Sequence, residues 1–377
     1  MGCSFCKPLI GALALLGSIL AGAAGRPAWA ADIQPPPANN RGVVELETGP
    51  SPGISVRMAE DLASVVDDGA TRRVLPVLGQ GSLQNVTDLQ LLRGVDITII
   101  QQDLLEYARQ QKLYPGIENW ASYIAKLYNE EFHLLARPEI KTVADLANRR
   151  VNVDLNRGGT AVTADRLFHL LGIPVVVTND SQEVALERLQ RGEIAALAFV
   201  GGKPAPLFRG LKASGGLHFL SIPTDPRTIE AYVPTQLTAA DYPDLVPQDQ
   251  PVDTVAVGTV LMAANLQPRS DRYRNTANFV DVFFTNFQQL LEPGHHPKWK
   301  EVNLAAEVPG WRRFPPAEQW LRRNANVASR IDVNELRSMF SRFIESRQQS
   351  VGGAGMTQQQ RDALFNEFMR WQSGQGR

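Results

Sequence analysis

From Val43 onward, short apolar runs of strand length alternate with longer stretches of helical period. That alternation restricts the fold to a mostly parallel sheet with helices on both faces. Residues 43–46 read as a strand and 49–53 as a turn, and Ala59, Leu62, Ala63 and Val66 then repeat with the spacing of one helix face stopped by Gly69. Residues 75–78 and 95–100 give further strands around a short helix near Leu89, and 132–136 another, punctuated by Arg137-Pro138. A second set follows: a strand at 151–155, a turn at Arg157-Gly158-Gly159, and a helix with Thr160 as its N-cap and Gly172 at its end. Residues 175–177, 194–200, 217–222 and 254–261 read as strands. Asp180 and Glu183 have capping-box spacing, and Phe279, Phe283, Phe287 and Leu290 mark an amphipathic helix. The strand–glycine–helix unit occurs twice, with Gly53 and Gly159 in matching places, which predicts two α/β lobes.

Composition removes several functions. The 377 residues carry 38 Lys plus Arg against 39 Asp plus Glu, so no basic surplus exists to neutralise phosphates and nucleic acid is not the expected partner. The start of the chain reads as a secretory signal: Lys7, an apolar run over residues 9–20, then Ala28-Trp29-Ala30 with cleavage after Ala30. Residues 31–42, with Pro35-Pro36-Pro37, read as a solvated leader. Cys3 and Cys6 both lie in the signal, so disulfides, thiol catalysis and thiolate metal sites are excluded from the mature chain. No later apolar run is long enough for a membrane span, which with the signal predicts a soluble exported protein. Beyond about Arg322 the chain turns polar, with a break at Gly352-Gly353 between two weak helical segments.

The glycine turns carry the chemistry. A helix N-terminus presents unpaired N–H groups and partial positive charge, and a preceding glycine lets a ligand approach the backbone. Two such termini facing one cleft would clamp a small carboxylate; equally, each turn alone would simply reverse the chain. Nucleotide motifs are absent: Gly79-Gln80-Gly81 lacks the third glycine of a dinucleotide fingerprint. Gly49-Pro50-Ser51-Pro52-Gly53 fits the G-x-S-x-G elbow of serine hydrolases, but Pro52, which follows the serine, has no N–H to give an oxyanion. His133, His169, His218, His295 and His296 form no metal constellation and read as structural. Neither a cofactor nor a catalytic residue is expected.

Four stretches together resemble the TAXI family of TRAP-transporter solute receptors. Gly81-Ser82-Leu83-Gln84-Asn85, Gly94-Val95-Asp96-Ile97 and Gln101-Gln102-Asp103 are similar to that family's G-S-x-x-N, G-x-D and Q-x-D run. Asp145-Leu146, Val151-Asn152-Val153 and Gly159-Thr160 resemble its D-L-x-G-K-x-V and G-S-G-T; Gly201-Gly202-Lys203-Pro204 resembles its G-G-x-P turn, and Thr254-Val255-Ala256-Val257 its T-V-A-V strand. The first turn departs from the pattern: Gly53 leads into Ile54-Ser55-Val56, without the aromatic pair that lines the family's pocket. Arg157 stands where the family has a small residue, either to pair with a ligand carboxylate or to point to solvent.

The resemblance implies a two-lobed, type II-like periplasmic binding protein that takes a small organic anion and delivers it to TRAP membrane permease subunits. The expected lobes are 43–136 with 254–321, and 137–253, followed by a helical extension over 322–377, with hinges near Ala136-Arg137 and Asp253-Thr254. Expected ligand contacts are Gly49, Ser51, Gly53, Ile54, Ser82, Asn85, Gln101 and Asp103 from the first lobe. The second lobe would add Arg157, Gly158, Gly159, Thr160, Ala161, Gly202 and Pro204. The chain would act as a monomer. A periplasmic sensor without transport is the alternative, and an exported hydrolase using Ser51 a further one.

Overall fold

A computed structural model describes residues 42–50, 53–212 and 214–324, apart from the side chains of Ser82, Ser214 and Pro226. The predicted signal and leader, Ser51, Pro52 and the extension past residue 324 lie outside the described residues.

The first half runs β1 (Val43–Thr48), α1 (Ile54–Val66), β2 (Arg73–Leu78), α2 (Ser82–Leu91), β3 (Ile97–Gln101), α3 (Gln102–Gln110), a single turn α4 (Ile117–Trp120) and the long β4 (Ser122–Ala136). The second half runs β5 (Arg150–Asn152), α5 (Gly159–Leu171), β6 (Val176–Thr178), α6 (Gln182–Gln190), β7 (Ala196–Gly201), β8 (His218–Phe219), α7 (Pro226–Ala231) and β9 (Val233–Leu237). Then β10 (Val252–Ala263), α8 (Asp271–Thr285) and α9 (Pro315–Arg323) return to the first half.

One sheet threads the molecule in the order β2-β1-β3-β10-β4-β7-β5-β6, with β8 beside β4 and β9 beside β10. Its two ends repeat one another. β1 pairs in parallel with β2 and β3, and β5 pairs in parallel with β6 and β7, so each end is a β-α-β-α-β unit with its first strand in the middle. The antiparallel pair β4–β10 joins the two ends. The recurring strand–glycine–helix pattern is therefore a structural repeat.

Three apolar cores follow this plan. The first gathers Leu46, Ile97, Leu104, Val260, Phe283 and Trp299. The second, around Phe132, Val151, Leu167 and Val255, and the third, around Leu135, Leu197, Phe208 and Tyr242, lie in the other half. Each fully buried Leu or Phe among them contributes about 1.5–3 kcal/mol relative to exposure. Along β4 the core changes between Tyr128 and Phe132, and along β10 between Val257 and Val260. These positions lie inside the strands, so the backbone of both connecting strands is continuous across the waist.

Three local expectations are corrected. The strand expected at 132–136 begins ten residues earlier, at Ser122, and is the last third of one 15-residue strand. Thr160 does not cap α5: Gly158 is the N-cap, and Thr160 Oγ1 instead accepts the Val200 N–H at 3.1 Å, tying the helix to β7. Asp180 does not open α6, which starts after Ser181; its carboxylate instead pairs with Arg188. Gly172 ends α5 as expected, in the left-handed conformation that glycine adopts without strain. Among the described residues, no helix is long and apolar enough to cross a membrane.

Candidate functional site

In open α/β sheets, ligands bind beyond the carboxyl ends of the strands, where the strand order reverses. Here those ends are Thr48–Gly49 and Gln101 in one half, and Asn152–Asp154 and Gly201–Gly202 in the other. The loop after β1 is held firmly. Ser55 Oγ accepts the Gly49 N–H at 3.1 Å, closing the turn onto α1. Asn85, with no accessible surface, donates from Nδ2 to Thr48 O at 2.9 Å and to Thr98 Oγ1 at 3.0 Å, and accepts the Gly81 N–H at 2.9 Å. Its hydrogen-bonding groups are spent within this half, so Asn85 braces the loops at the strand ends rather than facing a ligand. Gly79 must lack a side chain, because a Cβ there would stand 2.6 Å from Thr48 O.

The two halves meet across these strand ends. Gln101 donates from Nε2 to Glu130 Oε2 at 2.7 Å, and its Oε1 lies only 2.1 Å from where a Cβ on Gly159 would stand. That oxygen is buried without a hydrogen-bond partner. The C-terminal end of β3 thus abuts the first turn of α5, and a side chain at Gly159 would displace the Gln101 amide. A side chain on Gly202 would likewise collide with Ile54, whose Cδ1 would be 2.1 Å away. Deeper in the seam, Asp103 accepts from Thr163 Oγ1 at 2.8 Å and from Tyr232 Oη at 3.1 Å, both in the other half. Burial pushes the Asp103 carboxyl upward, and its Oδ1 has no partner.

The waist beneath is polar. Between Asn129–Gly258 and Lys126–Val260 the register shifts by one residue, a bulge in β4 of the kind that re-aims side chains. Around it stand Lys126, Glu130 and Glu131. Burial raises Glu130 to about 7, against the pull of its hydrogen bonds from Gln101 and Tyr128. Glu131, 3% exposed, pairs with Lys298 at 2.6 Å, and Lys298 pairs also with Glu301 at 2.8 Å. Lys126 has no hydrogen bond or ion pair with any described residue, and burial lowers its ammonium pKa. A Cβ on the facing Gly258 would stand 2.8 Å from Lys126 Cε and 3.2 Å from Gln102 Oε1.

A family profile described as the NMT1-like family matches residues 54–309. The chain belongs to the NMT1-like family. Solved structures similar to it include the periplasmic aliphatic sulphonate binding protein SsuA of Escherichia coli, at 17% identity over 74% of this chain and 82% of that one, with a TM-score of 0.43. The alkanesulfonate-binding protein SsuA of Xanthomonas axonopodis pv. citri bound to MOPS is 16% identical over 81% and 93%, with a TM-score of 0.43. The periplasmic binding protein BugD is 14% identical over 76% and 96%, also at 0.43.

The NMT1-like match contains both sides of the seam, from Ile54 and Gln101 to Gly159 and Gly202, as well as the waist residues. Of the residues expected from sequence, Gly49, Gly53, Ile54, Gln101, Asp103, Gly158, Gly159, Thr160 and Gly202 stand at the strand ends or across the seam. Ala161 is in the first turn of α5, and Ser82 opens α2. Pro204 is exposed, and so is Arg157, in the left-handed region at φ 64° and without a polar partner among the described residues. The sequence reading passed over Lys126, Glu130 and Lys298. The signal was present: Lys126 interrupts an otherwise apolar stretch, Tyr123-Ile124-Ala125-Lys126-Leu127-Tyr128. A hollow of about 700 Å³, lined by Lys141, Thr142, Leu171, Ile173, Ser221 and Asp253 among others, lies at the opposite end of α5 and shares none of these residues.

One described histidine is locked into the fold. His133 is caged by Phe199, Phe208, Phe219 and Tyr242, bonds Tyr242 Oη at 2.7 Å, and is held neutral by burial with a pKa of about 3. Among the described residues no group of three or more His, Cys, Asp or Glu is placed to hold a metal ion.

Proposed function

We propose that the chain is a periplasmic solute-binding protein of the TAXI type, which closes two lobes on a small organic anion, a carboxylate or amino acid, and delivers it to TRAP membrane permease subunits. The observation that carries this reading is the seam. Two repeated βαβ units turn the carboxyl ends of their strands toward each other, and polar side chains of one unit lie against the helix start of the other. Among the described residues the sheet passes from one half to the other through β4 and β10, an arrangement suited to hinge closure around a ligand. The bounds expected from sequence, 43–136 with 254–321 and 137–253, would shift to 43–131 with 258–321, and 132–257, because the core changes inside the strands. The pivots would lie in the strand interiors, near Asn129–Glu131 and Gly258, where the core changes.

The test is a thermal-shift screen of the protein, refolded to strip bound solute, against amino acids, mono- and dicarboxylates, and neutral and cationic controls. Ligand at about a hundred times its dissociation constant adds roughly 2.7 kcal/mol, a rise of a few degrees for a chain this size. A rise with one class of anion supports the reading, and no rise with any solute overturns it.

A further inference from the structure

Lys126 projects from the bulge of β4 at the waist, beside the end of β3 and the start of α3. A lysine removed from bulk water normally finds a carboxylate, because an uncompensated buried charge is costly. The carboxylates on the same strand are already engaged. Glu130 accepts from Gln101 at 2.7 Å and from Tyr128 Oη at 3.3 Å. Glu131 accepts from Lys298 at 2.6 Å and from the Lys203 N–H at 3.0 Å. The other waist cations are matched too, Lys298 by Glu131 and Glu301, and Lys203 by Asp241 at 3.1 Å. Gly258 opposite supplies the clearance in which the Lys126 stem lies. Among the described residues, Lys126 therefore stands at the waist without a counter-charge, and the missing side chain of Gly258 leaves room for it there.

From this geometry we infer that Lys126 is the charge-reading residue of the cleft, and that the solute is a small organic monoanion whose carboxylate sits against the Lys126 ammonium. The inference rests on the solute-receptor reading and narrows it. One unmatched cation neutralises one negative charge, so a second buried carboxylate on the solute would stand uncompensated. The unpartnered Gln101 Oε1 is the nearby acceptor for a hydroxyl or N–H elsewhere on the same solute. The depressed ammonium pKa agrees with the absence of a neighbouring anion, and a bound carboxylate would raise it again.

The experiment compares the full chain with its Lys126→Met and Lys126→Arg variants, each refolded to strip bound solute. Calorimetric titrations use pyruvate, lactate, glutamate and succinate, with lactamide as neutral control and choline as cationic control. The wild-type chain is expected to prefer a monocarboxylate over its amide by about ten- to a hundredfold, the range for hydrogen bonds to charged groups. Lys126→Met should lose about the same factor, while its urea midpoint without solute stays level or rises. Lys126→Arg should keep part of the affinity. Equal binding of a monocarboxylate by wild type and Lys126→Met would overturn the inference, as would a wild-type preference for a neutral, cationic or dianionic solute. Equal binding by Lys126→Met, or a dianion preference, leaves the anion-receptor reading standing, whereas a neutral or cationic preference removes the anion from it as well. If no solute of any charge binds wild type, both fall. Should Lys126→Met fail to fold, the acid-against-amide comparison in wild type decides alone.

Discussion

Two lysines at one waist have opposite fates. Lys298 is 4% exposed, and its ammonium touches Glu131 and Glu301, which hold its proton more tightly than usual against the cost of burial. Lys126, on the strand that carries Glu131, pairs with no carboxylate among the described residues, and burial loosens its proton. Lys126 is half-buried where Lys298 is fully buried, and the two differ above all in what the fold supplies. Lys298 is completed by its own chain and fastens the Pro297–Glu301 turn to β4. On the proposed reading, Lys126 is completed by the solute. A buried charge that the protein itself neutralises is part of the fold; one that it leaves bare points to a partner.

Truncating the two lysines separates these roles with the largest effect expected. Lys298→Met would leave Glu131 buried without its cation, and removing one member of a buried pair costs about 3–5 kcal/mol. Lys126→Met strands no anion and should leave stability unchanged or raise it. Urea denaturation of both variants without added solute measures the contrast. Equal losses would mean that Lys126 also has a structural partner, and the distinction would collapse.

Glu130 offers a second way to sharpen it, through pH. In the folded chain burial keeps its proton on up to about pH 7, against 4.5 for an unperturbed glutamate. Between those values the native state binds more protons than the unfolded one, so stability falls as pH rises from 4.5 through 7. The whole shift corresponds to roughly 3 kcal/mol, present below the window and lost above it. Glu130→Gln should remove that part of the slope and raise stability at pH 8. Glu47, which burial and then Asp88 raise to about 8, would keep its own contribution in the variant. Denaturation curves at pH 5, 6, 7 and 8 check this, and an unchanged slope in Glu130→Gln would refute the assignment.

The seam above the waist should respond less. Thr163→Val combined with Tyr232→Phe removes both hydroxyls that Asp103 accepts across the halves. About 2 kcal/mol would then be lost from the closed arrangement, at roughly 1 kcal/mol per hydrogen bond. That corresponds to a factor of about 30 in the ratio of open to closed chains. Small-angle scattering without solute would report it as a larger radius of gyration, and an unchanged curve would show that the latch does not govern closure.

The repeat was legible in the sequence because its strands and helices carry strong local signals: the apolar face of Ala59, Leu62 and Val66, the glycines before α1 and α5, and Gly172 at a helix end. The waist was not, for a physical reason. β4 is apolar toward both cores but carries Lys126, Asn129, Glu130 and Glu131 where it passes between them. Read locally, that polar stretch looks like the end of one element and the start of another. Asn85 failed in the opposite direction. Its G-S-x-x-N setting suggested a ligand contact, yet only the fold reveals that Thr48 and Thr98, distant in sequence, consume its donors. Local pattern shows which residues are polar, and tertiary contact decides whether that polarity is spent.

Arg157 brings the same distinction down to the smallest effect. In sequence it could equally pair with a ligand carboxylate or point to solvent, a guanidinium in a glycine turn before a helix. In the fold its backbone takes the left-handed conformation and its side chain is exposed. Lys126 sits deeper, where lower dielectric strengthens each interaction with a bound anion, whereas an exposed guanidinium is screened by water and salt. Arg157→Ala should therefore change stability by less than about 0.5 kcal/mol, as for a surface site without partners. Its affinity for a monocarboxylate should stay within about twofold of wild type at physiological salt, which calorimetry can measure beside Lys126→Met. A tenfold loss in Arg157→Ala, with Lys126→Met unaffected, would move the anion from the waist to the glycine turn and reverse the order of the two cations.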